Sequence, residues 1–187
     1  MKQELKQHLL PLLALFLITS LFWILNQVYF PQFIYLFFGF FWGSFILDTD
    51  HLIYWFFINP NIEESKLAQF AFKKKDFTSL LRLLESTHKG HTSLIFHHYF
   101  FQAILALFSF FIFTSSNNVF VMAFILAINV HLLVDQITDY QKDPKHLQNW
   151  LFAREKKQLP VTSLKYYLGT FTLLTLLFFF FLIRSQL

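Results

Sequence analysis

The chain has 187 residues, of which 56% are hydrophobic and 21% aromatic, whereas only 14% are charged. Soluble domains carry roughly 25% charged residues, so this composition indicates a membrane-embedded domain spanning residues 1–187. The sequence contains no cysteine, which excludes disulfide scaffolds, thiolate zinc sites and cysteine nucleophiles. The formal charge of +4 is more typical of topology-setting loops than of nucleic-acid binding, and we expect no nucleic-acid partner.

Five apolar segments are long enough to cross a bilayer, which needs roughly 20 residues of helix. The segments are 9–28, 33–57, 92–113, 119–138 and 164–183. They predict an all-α fold, a polytopic integral membrane bundle of about five transmembrane helices.

The charge of the connecting loops predicts the orientation of the chain. Most basic residues lie in the two long loops, 59–91 and 139–163, and at the N-terminus, while the two short loops are uncharged. Basic loops stay in the cytoplasm. We therefore predict a prokaryotic inner-membrane protein with a cytoplasmic N-terminus and both long loops inside.

Each long loop also contains an amphipathic pattern. Asp76 is a favourable N-cap residue and is followed by leucines at helical spacing. Leu147, Trp150 and Leu151 repeat the pattern in the second loop. We predict two interfacial helices, which either cap the bundle or guide a lipid substrate towards a site.

A G-x-x-x-G spacing lies inside the second predicted span. Gly39 and Gly43 are one helical turn apart, and such pairs allow close approach of two helices. The spacing predicts tight packing, either within the chain or in a homodimer.

Polar residues cluster at one predicted depth of the bilayer. The predicted topology places three groups at the cytoplasmic ends of spans two, three and four. An intramembrane carboxylate costs roughly 2.5–3.5 kcal/mol to insert, so such a residue indicates function. The three groups are Asp48, Asp50 and His51; His88, His91, His97 and His98; and His131 and Asp135.

The spacing within these groups is typical of metal sites in helical bundles. His131 and Asp135 are one turn apart, and His91 and His98 are expected to share a helix face. Imidazole and carboxylate ligands suit a divalent ion such as zinc, manganese or iron, and their number allows one or two ions. His8 precedes the first span, and we interpret it as a flanking residue.

The same residues resemble a known family, the predicted membrane-bound metal-dependent hydrolases called YdjM-like proteins. Members carry a Pro-Asp-x-Asp-His element, which is similar to "LDTDH" at 47–51, and a later His-x-x-x-Asp element, which is similar to 131–135. Their middle element is His-Arg-Gly-x-Thr-His-Ser. Here His88-Lys89-Gly90 resembles its start, but the second histidine is displaced to His91 or His97. The resemblance covers roughly residues 39–138.

The resemblance implies a hydrolase with one or two divalent ions, zinc or manganese first among them. It implies metal ligands at Asp48, Asp50, His91 or His97, His131 and Asp135. One of the carboxylates or His51 would be the general base or would orient a ligand, and His88 with Lys89 would meet a phosphate or headgroup oxyanion. A site at headgroup depth favours membrane lipid as partner and an amphiphilic substrate.

Two further functions use the same side chains. A transporter for metal ions or protons would need polar groups across the whole bilayer, whereas the outer halves of the spans are apolar. A non-catalytic protein would use a filled metal shell only to tie the helices together.

Overall fold

The computed structural model describes residues 2–87, 90–153 and 155–187, with side chains from residue 8 onwards. Helix accounts for 79% of the chain, and the described residues include no strand. The predicted all-α helical bundle is therefore confirmed.

Nine α-helices follow one another along the described chain. Local residues set several of their starts: Pro31 and Pro144 stand in the first turn of their helices, and Asn118 accepts a hydrogen bond from the Val121 amide. A single π-helical turn, Tyr54–Ile58, continues directly from α3. The helices are α1 Lys2–Leu25, α2 Pro31–Ile46, α3 Thr49–Ile53, α4 Glu63–Lys73, α5 Phe77–Thr87, α6 Tyr99–Ser115, α7 Val119–Lys142, α8 Pro144–Leu151 and α9 Leu164–Arg184.

Among the described residues, four helical segments are long and apolar enough to cross a membrane: His8–Leu25, Pro31–Ile58, Val119–Lys142 and Val161–Arg184. This is compatible with an integral membrane protein. The third predicted span, 92–113, is wrong in its start, because the helix there is Tyr99–Ser115 and has 17 residues. At 1.5 Å per residue it is about 25 Å long, shorter than the ~30 Å hydrocarbon core.

Helix α7 lies at the centre of the bundle. Its apolar window is 61% buried, against 17% for α1 and 28% for the segment containing α9. Helices α1, α2, α6 and α9 all contact it. The polar side chains on α7 are therefore held at the point where most of the bundle meets.

The closest helix contact joins α2 to α7 through the two glycines. A Cβ atom added at Gly39 would lie 2.6 Å from the Ala123 Cβ, and one at Gly43 would lie 2.6 Å from the Ala127 Cβ. The spacing thus serves packing within the chain, the first of its two predicted alternatives. Because α7 covers this face, homodimerisation through Gly39 and Gly43 stays a prediction that would need this contact to open.

Both amphipathic helices predicted in the long loops are present. Asp76 caps α5 by accepting hydrogen bonds from the amide and hydroxyl of Ser79. On α8, Leu147, Trp150 and Leu151 are buried together, as the amphipathic pattern predicts. Helix α4, on which no prediction was made, lies between the π-helical turn and α5 and contacts both.

Candidate metal centre

Helix α7 presents two side chains to the same point. The Nε2 atom of His131 lies 3.4 Å from the Asp135 carboxylate, one turn further along the helix. The other ring nitrogen, Nδ1, lies 2.8 Å from the carbonyl oxygen of Ser44 on α2. A carbonyl only accepts, so Nδ1 carries the proton and Nε2 is left with its lone pair. His131 therefore offers Nε2 as a metal ligand next to Asp135.

Helix α1 adds a histidine that the sequence analysis set aside. His8 Nε2 lies 3.3 Å from Asp135 Oδ1, and its ring stacks on that of His131 with centroids 4.0 Å apart. The interpretation of His8 as a flanking residue is therefore wrong. The interpretation failed because nothing in the local sequence shows that α1 packs on α7.

The segment before α6 contributes a third histidine, held by a buried carboxylate. His97 Nδ1 lies 3.2 Å from Asp50 Oδ2, and His97 Nε2 lies 3.5 Å from Asp135 Oδ2. Asp50 is fully buried and also accepts the backbone N–H groups of Ile95 and Phe96. A carboxylate on one nitrogen of a ligating histidine fixes its tautomer and orientation. Asp50 thus orients His97 instead of approaching Asp135 itself.

Asp48 approaches the same centre from the turn between α2 and α3. Its Oδ1 atom lies 3.8 Å from His131 Nε2, and its side chain is about half exposed, at 48%. Asp48 is the most accessible member of the cluster, and it marks the side from which solvent or a substrate would enter.

The spacings within this cluster differ from hydrogen-bond lengths. N–H···O bonds are about 2.7–3.2 Å long, whereas the Asp135 oxygens lie 3.3–3.5 Å from three imidazole nitrogens. Ligands bound at ~2.0–2.1 Å in a tetrahedron lie roughly 3.3 Å apart. His8, His131 and Asp135 offer ligand atoms that all lie within 4.8 Å of one another. The donor chemistry and the spacing both fit a divalent ion such as zinc or manganese.

A second group of titratable residues lies beside this cluster and has different spacings. His51 Nδ1 lies 2.7 Å from His91 Nδ1, and His91 Nε2 lies 2.5 Å from Glu64 Oε1 on α4. Both are hydrogen-bond lengths. The ring centroids of His51 and His97 are 6.0 Å apart, so the two groups are neighbours.

Glu64 is held by further donors. Trp55 Nε1–H donates to the same carboxylate oxygen as His91. Burial acts to raise the pKa of the Glu64 carboxyl, but hydrogen bonds from Trp55, Thr87 and His91 outweigh it and hold the pKa below its usual range. Glu64 is therefore an ionised acceptor at neutral pH.

A buried amide network supports His97 from behind. The side-chain amide of Gln102 donates to the His97 carbonyl oxygen at 2.7 Å. Its own carbonyl oxygen accepts from Gln136 on α7 and from the Tyr167 hydroxyl on α9, each at 2.7 Å. Three helices are thus tied to the segment that carries His97.

The predicted site residues fall into two sets. The structure brings Asp48, Asp50, His97, His131 and Asp135 together, and of the alternatives His91 and His97 it is His97 that lies beside Asp135. His91 and His51 belong to the neighbouring group. His88 and Lys89 lie outside the described residues.

The prediction that His91 and His98 share a helix face is wrong. Residues 91–98 are not helical, and His98 stands at the N-cap of α6, where its Nδ1 accepts from the Phe100 amide. The Asp50 carboxylate accepts hydrogen bonds from the amides of Ile95 and Phe96, which in a helix would donate to backbone carbonyls of the same helix. This competition delays the start of α6.

No protein-family model matches the chain, and comparisons with curated proteins and with solved structures found no match either. The resemblance to the YdjM-like proteins therefore rests on the motifs alone and stays a prediction. The described residues form an all-α fold with four helices that are long and apolar enough to cross a membrane, and with a partly buried His/Asp cluster.

Proposed function

We propose that the chain is a membrane-embedded metal-dependent hydrolase with its metal centre at the cytoplasmic face of the inner membrane. The observation that carries the proposal is the convergence of three histidines from separate elements, His8, His97 and His131, on the two oxygens of Asp135. A carboxylate in a membrane-spanning helix with the imidazoles of His8 and His131 at ligand spacing suits one divalent ion, zinc or manganese, and His97 approaches the same carboxylate. A second ion would have to use Asp48.

A divalent ion held there would supply Lewis acidity to a hydrolytic reaction. The protein's own residues supply the frame. Asp50 accepts a hydrogen bond from His97 Nδ1–H, and the Ser44 carbonyl accepts one from His131 Nδ1–H. Both rings therefore present Nε2 to the centre. Asp48, half exposed at the edge, is placed to contact water or a substrate entering the site.

The orientation follows from the loop charges. The first long loop contains helices α4 and α5 and the basic stretch Lys73–Lys75. It follows the second predicted span at the end where Asp48 lies. Basic segments are retained in the cytoplasm and are attracted to anionic leaflets. We therefore place the metal centre at the inner leaflet, with the N-terminus inside.

A groove beside the site supports an amphiphilic, lipid-like substrate. It is an open depression of about 280 Å³ whose accessible lining is apolar. Thr49, which follows Asp48 in the sequence, lines the groove. An apolar groove at the membrane interface suits an acyl or isoprenoid chain, with the phosphate or ester group at the centre. The groove is lined by Thr49, Leu52, Ile53, Phe56, Phe57 and Phe72.

The metal is tested by measuring zinc and manganese content per chain in purified protein. We expect one or two ions in the wild type and almost none in Asp135→Asn. Asp143→Asn is the matched control, because Asp143 is an exposed N-cap on α8 whose hydrogen bonds asparagine can accept. The proposal is rejected if wild type and Asp135→Asn both contain almost no metal per chain after incubation with zinc and manganese.

Hydrolysis is tested separately on phospholipids and isoprenoid phosphates in mixed micelles. Chelation should abolish product release, and zinc or manganese should restore it. A chelator that lowers thermal stability while no substrate is cleaved would instead support a structural metal. Uptake of metal into sealed liposomes that depends on His131 would favour a transporter.

A further inference from the structure

Helix α4 carries large apolar side chains on the face that is turned away from the protein. Its inner face is formed by small residues, Ser65, Ala68 and Ala71, which are buried. Leu67 and Phe70 are one turn apart on the outer face, and they are 55% and 57% exposed. A helix on a water-soluble surface has the reverse arrangement, with its larger apolar groups inside. The outer face of α4 is therefore suited to apolar surroundings.

Packing at the end of α4 sets the depth of this face relative to the candidate span Pro31–Ile58. The ring of Phe72 meets the ring of Phe56 edge-on, with centroids 5.3 Å apart. Phe56 belongs to the last turn of that span, and Phe72 directly precedes Lys73. The C-terminal end of α4 therefore lies beside the end of the span, which is the level at which a helix that crosses a membrane meets the lipid headgroups.

Three consecutive exposed lysines stand at this end of the helix: Lys73, Lys74 and Lys75. The Nζ atom of Lys74 lies 4.3 Å from the centroid of the Phe70 ring, so positive charge and apolar surface are adjacent. Lys75 has a φ angle of 57°, in the left-handed region that favours glycine. The third positive charge is therefore placed at a cost to the stability of the turn.

The carboxylates of α4 lie at its other end. Glu63 and Glu64 stand in the first turn, and at 1.5 Å per residue they are roughly 15 Å from Lys73. Glu64 is also turned inward, where it accepts a hydrogen bond from Trp55. Asp76, which follows the lysines, is directed at the first turn of α5, which it caps. A basic edge beside an apolar face complements an anionic leaflet, in which phosphates lie above acyl chains.

We propose that the outer face of α4 is a binding surface for anionic phospholipids of the membrane in which the chain is embedded. Leu67 and Phe70 contact acyl chains, and Lys73, Lys74 and Lys75 bind headgroup phosphates. The surface uses no side chain of the candidate metal centre. The inference therefore does not rest on hydrolysis, and it can be tested whether or not the protein binds a metal ion.

The test places an apolar fluorophore at Leu67→Cys in the full chain, which has no other cysteine, after reconstitution into vesicles. Phospholipids with brominated acyl chains quench a fluorophore that they contact. Brominated phosphatidylglycerol, which is anionic, is compared with brominated phosphatidylcholine, which is zwitterionic, at the same mole fraction. We expect phosphatidylglycerol to quench at least about twofold more strongly, and concentrated salt to reduce the difference.

Charge variants of the labelled protein locate the source of this preference. Changing all three lysines of α4 to glutamine should remove the preference for phosphatidylglycerol, whereas changing all three to arginine should retain it. The matched control removes the same charge from exposed lysines of the second long loop and should retain the preference. It combines Lys145→Gln, Lys156→Gln and Lys157→Gln.

Three results would overturn the proposal. Absence of quenching by both brominated lipids would show that the outer face of α4 lies outside the bilayer. Equal quenching by the two lipids would show that the face does not select anionic headgroups. A preference that responds equally to the two sets of glutamine substitutions would assign it to the overall charge of the chain. Failure of the metal-content test would reject the proposed function and leave this inference standing.

Discussion

The imidazole of His8 and the carboxylate of Asp135 lie 3.3 Å apart, which joins the first helix of the chain to the central one. His8 Nδ1 is buried and has no hydrogen-bond partner among the described residues. The ring is thus fixed by its stack on His131 and by its approach to Asp135. A half-buried imidazole that faces a carboxylate in this way is a candidate metal ligand.

We predict that His8→Gln lowers metal affinity by at least about 100-fold, more than the roughly 10–100-fold typical of residues that only orient a ligand. His146→Gln is the control, since His146 lies near Asp139 and away from the centre. Affinity is measured by competition with a chromogenic chelator. Equal affinities for the two variants would remove His8 from the ligand set.

Filling the apolar groove should exclude an acyl chain from it. The probe is a phospholipid with a photoreactive acyl chain, which should crosslink to Phe56 and Phe57 in the wild type. We expect Ile53→Trp to abolish most of this crosslinking, because the indole would occupy the groove. Leu107→Trp is the control and should have no effect. Leu107 is 75% exposed on α6 and does not line the groove. Mass spectrometry locates the crosslinks, and an equal loss in both variants would contradict a specific lipid groove.

The α2–α7 contact predicts opposite results for two glycine substitutions. Gly39→Ala should destabilise the protein by about 1–3 kcal/mol, because its Cβ would lie 2.6 Å from the Phe120 carbonyl oxygen, which cannot rotate away. Gly169→Ala on α9 meets nothing within 4 Å and should be neutral or stabilising by up to about 1 kcal/mol. Thermal unfolding in detergent compares the two. A Gly39→Ala variant as stable as Gly169→Ala would argue against the close contact.

The cap of α5 should respond to pH. Hydrogen bonds from the hydroxyl and amide of Ser79 hold the pKa of Asp76 below its usual range. A lowered pKa in the folded state stabilises the fold above the usual value of about 3.9, and this stabilisation is lost as pH falls through the folded-state pKa.

We therefore expect Asp76→Ala to lower hydrogen-exchange protection factors in Phe77–Thr87 at pH 7 and to approach the wild type near pH 3. Asp76→Asn keeps a neutral acceptor, so its protection of α5 should depend less on pH than the wild type's. Equal protection in wild type and Asp76→Ala at pH 7 would show that the cap contributes nothing.

The orientation can be tested directly because the chain has no cysteine. Ser86→Cys on α5 and Asn117→Cys between α6 and α7 each introduce a single exposed thiol. In spheroplasts, an impermeant maleimide should label Asn117→Cys and leave Ser86→Cys unlabelled until the membrane is permeabilised. The reverse pattern would invert the proposed topology.

Much of the site was predictable because hydropathy and helical periodicity are local properties. His131 and Asp135 share a face of α7 by spacing alone, and their position at the same end of the bundle as Asp48 follows from the alternation of spans. The contact predicted between spans two and four is seen in the 3.8 Å distance between Asp48 Oδ1 and His131 Nε2.

The remainder depends on tertiary contacts that no local pattern encodes. His8 joins the centre only because α1 packs on α7, and Glu64 contacts His91 only because α4 folds back on the π-helical turn. Helix α6 begins at Tyr99 and not at the predicted Thr92, because Asp50, distant in sequence, accepts hydrogen bonds from two amides of the intervening segment. In each case a long-range hydrogen bond or packing contact outweighed the local preference.

The position of α7 has a consequence for how the protein is made. Helices α1 to α6 leave the ribosome before it, so Gly39 and Gly43 have no partner and His8 and His97 have no Asp135 until α7 is inserted. A chain stalled before α7 would therefore lack two members of the His/Asp cluster, His131 and Asp135, and could not form the proposed metal centre.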